Sequence, residues 1–180
     1  HWDQEFQYYY RLETNWYRGQ YKTRDYRGHS SVVLAVRIDP VRRLVFSGGR
    51  DHVIKVWSLD SNRCVRTLRA HTNAVSCLDY DRMSATLVSG SWDGTVSVVV
   101  CDRATRSVIS YIGNHCSPVT SLKLDQSYLV SGAEDSSILV WHHHQSTQLK
   151  GHNSDVNAID MTESLIVSGS DDGLVKVWDF

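Results

Sequence analysis

The chain has 180 residues, of which 41% are hydrophobic and 22% are charged, and its formal net charge is −1 at pH 7. Such a composition is typical of a globular domain, and a charge near zero offers no broad basic field to hold a phosphate backbone. No apolar run approaches the roughly 18 residues that span a membrane. We therefore expect neither nucleic acid nor a membrane among the partners of this chain.

The N-terminal segment is rich in aromatic side chains and has no counterpart later in the chain. Trp2, Phe6 and Tyr9 recur at the spacing that places them on one face of a helix. Gly19 is expected to end this helix, because glycine readily adopts the left-handed backbone of a helix C-terminus. Residues 20–27 are expected to be extended. The simplest interpretation is a short N-terminal α-helix that packs on the rest of the chain.

Four later segments are copies of one another, and each contains the pattern Ser-Gly-x-x-Asp. Their aspartates are spaced 42, 42 and 37 residues apart, at Asp51, Asp93, Asp135 and Asp172. A tryptophan follows each aspartate after six residues, except in the second copy, where Val99 takes its place. Self-similarity at a period near 40 residues is the signature of a repeat protein.

The second copy shows what each repeat is expected to form. Apolar and β-branched segments predict short strands at 75–80, 87–89, 95–100 and 107–112, and Asp93-Gly94 predicts a tight turn. Helical repeats would instead show apolar residues at a period of 3.6. Four short strands in a unit of about 40 residues indicate a blade of a β-propeller.

The repeats resemble those of WD40-repeat proteins, in which a blade carries Gly-His near its start and Trp-Asp at the end of its third strand. Gly28-His29 and Gly151-His152 match the first pair in full, and Trp178-Asp179 matches the second. The resemblance implies an all-β fold of at least four WD40 β-propeller blades, the last one incomplete, after a short N-terminal α-helix. It divides the chain into an aromatic linker with a closing-strand segment and four repeats, at 1–27, 28–69, 70–112, 113–150 and 151–180. We also expect the natural protein to continue beyond residue 180 with further blades, since closure takes about four to eight of them.

The same resemblance implies that a histidine, a serine, an aspartate and a tryptophan of each blade form one hydrogen-bonded chain that stiffens it. The sets are His29, Ser47, Asp51 and Trp57; His71, Ser89 and Asp93, without a tryptophan; His115, Ser131, Asp135 and Trp141; and His152, Ser168, Asp172 and Trp178. Serine, histidine and aspartate can also form a hydrolase triad, but an active site has no use for four copies at the blade period. We expect no catalytic residue, no cofactor and no enzymatic activity.

Three adjacent histidines, at 142–144, suggest a metal site. In an extended chain their side chains alternate between faces, so they cannot all reach one ion without a turn. We therefore expect a surface turn and no metal there. The four cysteines form no C-x-x-C pair, which indicates reduced thiols and an intracellular protein, cytoplasmic or nuclear.

Propellers bind through loops that a rigid scaffold presents at one face. In WD40 proteins two positions of each blade point from that face: one follows the valine that starts the first strand, and the other precedes the turn aspartate. The corresponding partner-binding candidates are Leu34 and Arg50, Ser76 and Trp92, Thr120 and Glu134, and Asn157 and Asp171. Arg50 and Trp92 are the first candidates, because arginine and tryptophan are enriched among residues that dominate binding.

The N-terminal segment carries a second resemblance. The pattern Trp2-x-x-x-Phe6, followed by Arg11-x-Glu13-x-Asn15-Trp16-x-x-Gly19, is similar to the linker that joins an F-box to its propeller in F-box/WD-repeat proteins. Those proteins are substrate receptors of SCF-type cullin–RING ubiquitin ligases. The resemblance implies a protein or peptide ligand on the loop face, with Skp1 and cullin as partners through an F-box upstream of residue 1. The alternative is a structural WD40 scaffold in an assembly unrelated to ubiquitin.

Overall fold

The computed structural model describes residues 2–100, 108–125, 127–142 and 145–180. These residues form a helix, α1 (Trp2–Arg18), and fifteen strands. The strands are β1 (Val33–Asp39), β2 (Leu44–Gly49), β3 (Ile54–Ser58), β4 (Arg63–Leu68), β5 (Val75–Asp81), β6 (Thr86–Ser91), β7 (Thr95–Val100), β8 (Val108–Asn114), β9 (Val119–Leu124), β10 (Leu129–Ala133), β11 (Ile138–His142), β12 (Gln145–Leu149), β13 (Val156–Met161), β14 (Leu165–Ser170) and β15 (Val175–Asp179).

The N-terminal helix ends at the glycine expected to end it. Gly19 has a φ of 61°, its N–H donates to the carbonyl of Trp16 at 3.3 Å, and the N–H of Gln20 donates to that of Asn15 at 2.9 Å. These two bonds form a Schellman cap. The expectation that the helix packs on the rest of the chain is wrong. No side chain within α1 is buried and Trp2 is 85% exposed, because the spacing of aromatic residues defines a helix face but not what covers it.

The strands form four antiparallel sheets in chain order. The first three sheets are four-stranded, β1–β4, β5–β8 and β9–β12, and the last, β13–β15, is three-stranded. Each sheet is one blade, numbered here 1 to 4, which confirms the all-β propeller architecture with an incomplete last blade. β8 extends two residues past the predicted repeat boundary at 112, because Asn114 still pairs with Thr95. Residues 102–105, which separate the third and fourth strands predicted for the second repeat and are expected to form a polar turn, lie outside the described residues.

Consecutive blades approach each other through a valine on one and a glycine on the other. The valine starts the first strand of a blade, and the glycine belongs to the Ser-Gly pattern of the blade before it. A Cβ added to Gly48, Gly90 or Gly132 would lie 2.5, 2.6 or 2.7 Å from Cγ1 of Val75, Val119 or Val156, respectively. A side chain at the glycine would therefore push the next blade away.

Apolar cores fill the spaces between neighbouring blades. Phe46 of blade 1 and Leu78 of blade 2 share the first core, and Val88 of blade 2 and Val119 of blade 3 share the second. Because every core belongs to two blades, each blade depends on its neighbours for stability. The same packing holds the turns between the second and third strands of successive blades side by side on one face.

Candidate partner-binding face

The histidines of blades 1 and 4 contact their aspartates directly. In blade 1, Trp57 Nε1–H donates to Ser47 Oγ at 2.8 Å and the Ser47 hydroxyl donates to His29 Nε2 at 2.7 Å. His29 Nδ1–H then donates to Asp51 Oδ2 at 2.8 Å. In blade 4 the equivalent bonds measure 3.0 Å from Trp178 to Ser168, 2.8 Å from Ser168 to His152 and 2.8 Å from His152 to Asp172. Each chain of bonds ties the entry loop of a blade to two strands and a turn.

In blade 2 a hydroxyl lies between the histidine and the aspartate. His71 Nδ1 is 2.7 Å from Thr95 Oγ1 and 3.4 Å from Asp93 Oδ2. The Thr95 hydroxyl in turn donates to Asp93 Oδ1, while His71 Nε2 accepts from Ser89 Oγ at 2.7 Å. The set in this blade therefore gains a threonine that the sequence reasoning missed, and Val99 leaves it without an indole donor.

Blade 3 uses a serine in the same way. Ser137 Oγ lies 2.7 Å from His115 Nδ1 and donates to Asp135 Oδ1, whereas the shortest distance between His115 Nδ1 and Asp135 is 3.8 Å. Ser131 links His115 Nε2 to Trp141 at 2.7 and 2.8 Å. The sequence carried a signal for both bridging hydroxyls, since each stands two positions after the turn aspartate.

Burial and hydrogen bonding set the charges of these groups. Burial lowers the pKa of His71 and His115 against the attraction of their aspartates, so both rings are neutral at pH 7. Burial raises the pKa of Asp172, but hydrogen bonds from His152 and from the backbone N–H of Asn153 outweigh it and bring the pKa to about 2. The serine of each set is at least 96% buried, Ser47 being the most exposed at 4%. These sets can stiffen blades, but their serines cannot meet a substrate.

The residue before each turn aspartate is held by the same backbone bond in all four blades. Its N–H donates to a carbonyl in the loop before the first strand. The pairs are Arg50 to Val32 at 2.8 Å, Trp92 to Ala74 at 2.9 Å, Glu134 to Pro118 at 3.1 Å and Asp171 to Asp155 at 3.0 Å. The four side chains therefore start from equivalent, fixed points on one face.

Arg50 and Trp92, which come from neighbouring blades, contact each other on this face. The guanidinium carbon of Arg50 lies 5.1 Å from the centroid of the Trp92 ring, within the range of a cation–π interaction. Arg50 is exposed and Trp92 is half-buried. The pair presents a positioned cation on top of an apolar platform.

The remaining candidates differ in what they present. The hydroxyls of Ser76 and Thr120 donate to backbone carbonyls of the next blade, at Val119 and Val156. Their polar groups are therefore occupied within the scaffold. The amide of Asn157 donates to Asp171, Glu134 is exposed, and Leu34 is 38% exposed. The outward charge of the face is mixed, with Arg50 on one side and two acids on the other.

Two further features lie away from this face. An apolar groove of about 370 Å³ lies at the boundary of blades 3 and 4, and Tyr128, Leu149 and Phe180 are among the residues that line it. His142, at the end of β11, stacks on Tyr128 at 4.9 Å, while His143 and His144 lie outside the described residues.

In the described ranges there is no cluster of three metal-binding side chains, and α1 is neither long nor apolar enough to cross a membrane.

Comparison with known families and structures agrees with this geometry. The model of the family described as WD domain, G-beta repeat matches residues 20–58, 62–99, 106–142 and 144–179. Among solved structures, the computationally designed protein Ika4 aligns with a TM-score of 0.75 and 31% identity, over 88% of this chain and 99% of its own. The designed protein Ika8 aligns with a TM-score of 0.74 and 32% identity, over 84% of this chain and 47% of its own.

Similar proteins of known sequence are much longer. Mitochondrial division protein 1 of Kluyveromyces lactis is 26% identical over 127 residues, which cover 64% of this chain and 18% of that protein. An uncharacterized WD repeat-containing protein of Schizosaccharomyces pombe is 30% identical over 125 residues, 65% of this chain and 34% of that protein. A probable E3 ubiquitin ligase complex SCF subunit, sconB of Talaromyces stipitatus, is 30% identical over 126 residues, 64% of this chain and 18% of that protein.

Proposed function

The chain belongs to the WD40-repeat family of protein-interaction modules, and on that basis we propose that it recognises a protein or peptide partner through Arg50 and Trp92. The observation that carries the proposal is the cation–π contact between these two side chains across a blade boundary. An arginine stacked on an indole has fewer conformations to lose when a partner binds. Its planar donors then suit a carboxylate or a backbone carbonyl.

The charges around the pair favour one kind of ligand. Glu134 and Asp171 stand at the equivalent positions of blades 3 and 4 and are exposed. Two carboxylates on the same face would repel a doubly phosphorylated segment, while they attract basic side chains of a partner. We propose a peptide of mixed charge, with an acidic or carbonyl group at Arg50 and an apolar group on Trp92.

We further propose that this partner is the substrate of an SCF-type ubiquitin ligase. Two observations support the proposal: the resemblance of the N-terminal segment to the F-box/WD-repeat linker, and the similarity to a protein named as an SCF subunit. The second candidate is a WD40 scaffold outside the ubiquitin pathway, favoured by relatives named for mitochondrial division and nuclear distribution. Co-purification of Skp1 and cullin with the full-length natural protein would separate the two.

The binding face itself is tested with the double variant Arg50→Ala/Trp92→Ala in the full-length protein. Proteins that co-purify with the wild type are identified by mass spectrometry, and the affinity of the leading partner is measured by calorimetry. We expect the double variant to lose about 2 kcal/mol or more of binding free energy, roughly 30-fold in affinity. Arg63→Ala/Met83→Ala is the matched control, because both residues are exposed and lie at turns on the opposite edge of the blades.

The outcome tests the proposed binding face without testing whether the chain belongs to the WD40 family. Loss of the partner in the double variant but not in the control supports the Arg50–Trp92 face. An unchanged set of partners, with the circular dichroism spectrum of the wild type, would place recognition on another surface of the blades.

A further inference from the structure

One position of the first strand ties a blade to the next blade at the binding face. In blade 2 this position is Ser76, whose hydroxyl donates to the backbone carbonyl of Val119 in blade 3. In blade 3 it is Thr120, whose hydroxyl donates to the backbone carbonyl of Val156 in blade 4. We call such a bond between blades a hydroxyl latch. Two successive boundaries of the chain therefore use the same device.

The boundary between blades 1 and 2 has no hydroxyl latch. Leu34 follows the valine that starts the first strand of blade 1, as Ser76 and Thr120 do in their blades, and leucine has no hydroxyl. The acceptor is nevertheless in place. The carbonyl oxygen of Val75 lies 3.4 Å from where a Cβ on Gly48 would be, so it faces blade 1. This boundary lies inside the chain, between two four-stranded blades.

The opposite edge of the same boundary carries a polar clasp. Tyr80 of blade 2 donates its hydroxyl to Asp39 Oδ2 of blade 1 at 2.8 Å, and Arg42 Nη1 donates to the same oxygen at 3.1 Å. Asp39 is fully buried. Leu124 and Met161 stand at the position of Tyr80 in blades 3 and 4, and neither has a hydroxyl. The clasp through this position is thus confined to the boundary of blades 1 and 2.

This boundary therefore lacks a bond at the binding face and has an additional one at the far edge. A hydrogen bond within the fold stabilises it, so a serine or threonine in place of Leu34 would suit the scaffold better. A residue that departs from the local rule of a fold, with compensation elsewhere, is typical of a functional site. The departure at Leu34 consequently points to binding.

Leu34 belongs to the same part of the face as the cation–π pair. Its place in the repeat puts its side chain beside Val75, and the N–H of Trp92 donates to the carbonyl of the preceding residue, Ala74, at 2.9 Å. Arg50, which stacks on the ring of Trp92 at 5.1 Å, comes from the same blade as Leu34. One blade boundary thus brings together a leucine, an indole and a guanidinium.

We propose that Leu34 determines the specificity of this site, forming with Trp92 two apolar walls that hold an aliphatic side chain of the partner. The inference rests on the proposed function, because it concerns the same site. Arg50 already stacks on the indole, so an apolar group of the partner gains from a second wall. The segment that fits carries leucine, isoleucine, valine or methionine close to an aspartate or glutamate, whose carboxylate binds Arg50.

The binding test uses a phage-displayed library of random short peptides. It is depleted on the Arg50→Ala/Trp92→Ala variant of the full-length natural protein and then selected on the wild type. We expect enriched peptides to carry an acidic residue close to an aliphatic one. The enriched peptides are synthesised, and their affinities are measured by fluorescence anisotropy.

Leu34→Thr should weaken the binding of these peptides about tenfold, the loss expected for one buried aliphatic contact. Leu12→Thr, the same change on the exposed surface of α1, is the control and should bind like the wild type. A peptide with alanine in place of its aliphatic residue should bind the wild type about tenfold more weakly. It should bind Leu34→Thr no more weakly than that, because the contact is already lost.

A second measurement separates binding from a role in the scaffold. Leu34→Thr supplies the missing hydroxyl, so the thermal unfolding midpoint of the full-length protein should rise by about 1–2 °C although the peptides bind more weakly. Thr120→Val removes the hydroxyl latch of blade 3 at nearly constant volume and should lower the midpoint. A leucine that only packed the scaffold would lose stability on the same change.

The outcomes distinguish this inference from the proposed function. The inference is overturned if peptides that need Arg50 and Trp92 bind Leu34→Thr as tightly as the wild type. It is equally overturned if Leu34→Thr unfolds at a lower temperature than the wild type. A library that yields no peptide dependent on Arg50 and Trp92 overturns the proposed binding face, and this inference with it.

Discussion

At the scale of single residues, the bridging hydroxyls of blades 2 and 3 change how a buried histidine is satisfied. Where the position two after the turn aspartate is apolar, as at Val53 and Leu174, the histidine bonds the aspartate directly. Where it is Thr95 or Ser137, the hydroxyl takes that place. An unsatisfied group at a buried site costs more than an ordinary hydrogen bond contributes. The bridging hydroxyls therefore matter most in the two blades that have them.

Thr95→Val is expected to destabilise the chain by about 1 kcal/mol, because it removes the hydroxyl that His71 Nδ1 contacts at 2.7 Å and leaves the ring with Asp93 Oδ2 at 3.4 Å, a longer and weaker contact than the direct bonds of blades 1 and 4. The measurement is urea-induced unfolding at pH 7.5. Thr86→Val is the matched control, since the Thr86 hydroxyl donates to the carbonyl of Ser84 through a long bond of 3.4 Å on the surface. Its effect should stay within about 0.5 kcal/mol. Equal losses in both variants would show that the bridge has no special role.

At the scale of the blade, blade 2 lacks both the tryptophan of the third strand and the glycine before its histidine, and the two absences are sterically linked. In blade 4 a Cβ on Gly151 would lie 2.8 Å from the indole of Trp178, and in blade 1 a Cβ on Gly28 would lie 3.2 Å from that of Trp57. Glycine before the histidine thus leaves room for the indole in these two blades, and in blade 3, where Asn114 precedes the histidine, Gly113 does so one place earlier, since its Cβ would lie 2.4 Å from the indole of Trp141. Blade 2 has Ala70 at that position and Val99 at the tryptophan position, so an alanine fits where no indole needs the space.

This steric link predicts coupling between Gly151→Ala and Trp178→Val. Gly151→Ala displaces the indole, so Trp178→Val should cost less in that background than in the wild type. We expect an interaction free energy of about 0.5–3 kcal/mol in a double-mutant cycle, measured by urea unfolding of the four proteins. Strictly additive costs would contradict the steric link between the two positions.

The blades could be predicted from the sequence because the same steric demands recur in each. The Ser-Gly pattern, the turn aspartate and the β-branched third strand impose the same local structure four times, and Gly19 sets the end of α1. Contacts between blades were harder to predict from the sequence. The sequence does not show that Ser76 and Thr120 turn their hydroxyls to the next blade, because that depends on the angle between sheets. It also predicted a packed N-terminal helix, since aromatic spacing indicates a helix face but not what covers it.

At the scale of the molecule, stability is distributed over neighbouring pairs of blades, and the buried charges make it depend on pH. His71 and His115 have pKa values lowered by burial, so the unfolded chain binds their protons more readily than the folded one. Their contribution is complete above the unfolded pKa, about 6.5, and is lost as the pH falls below it. Asp172, with a pKa of about 2, contributes above about 4 and loses that contribution as the pH falls toward 2.

The unfolding free energy should therefore fall in two steps on acidification, first between pH 7 and 5 through the histidines and then below pH 4 through the aspartates. Each buried histidine adds a slope of up to about 1.4 kcal/mol per pH unit in the first step. The measurement is urea unfolding at pH 7.5, 5.5 and 3.5 at one protein concentration, because association would also shift stability. His115→Asn removes one titrating ring, so it should be less stable at pH 7.5 yet lose less between pH 7.5 and 5.5 than the wild type. A wild-type stability that stays level or rises between these two values would contradict the prediction, because the folded blades would then bind protons at least as readily as the unfolded chain.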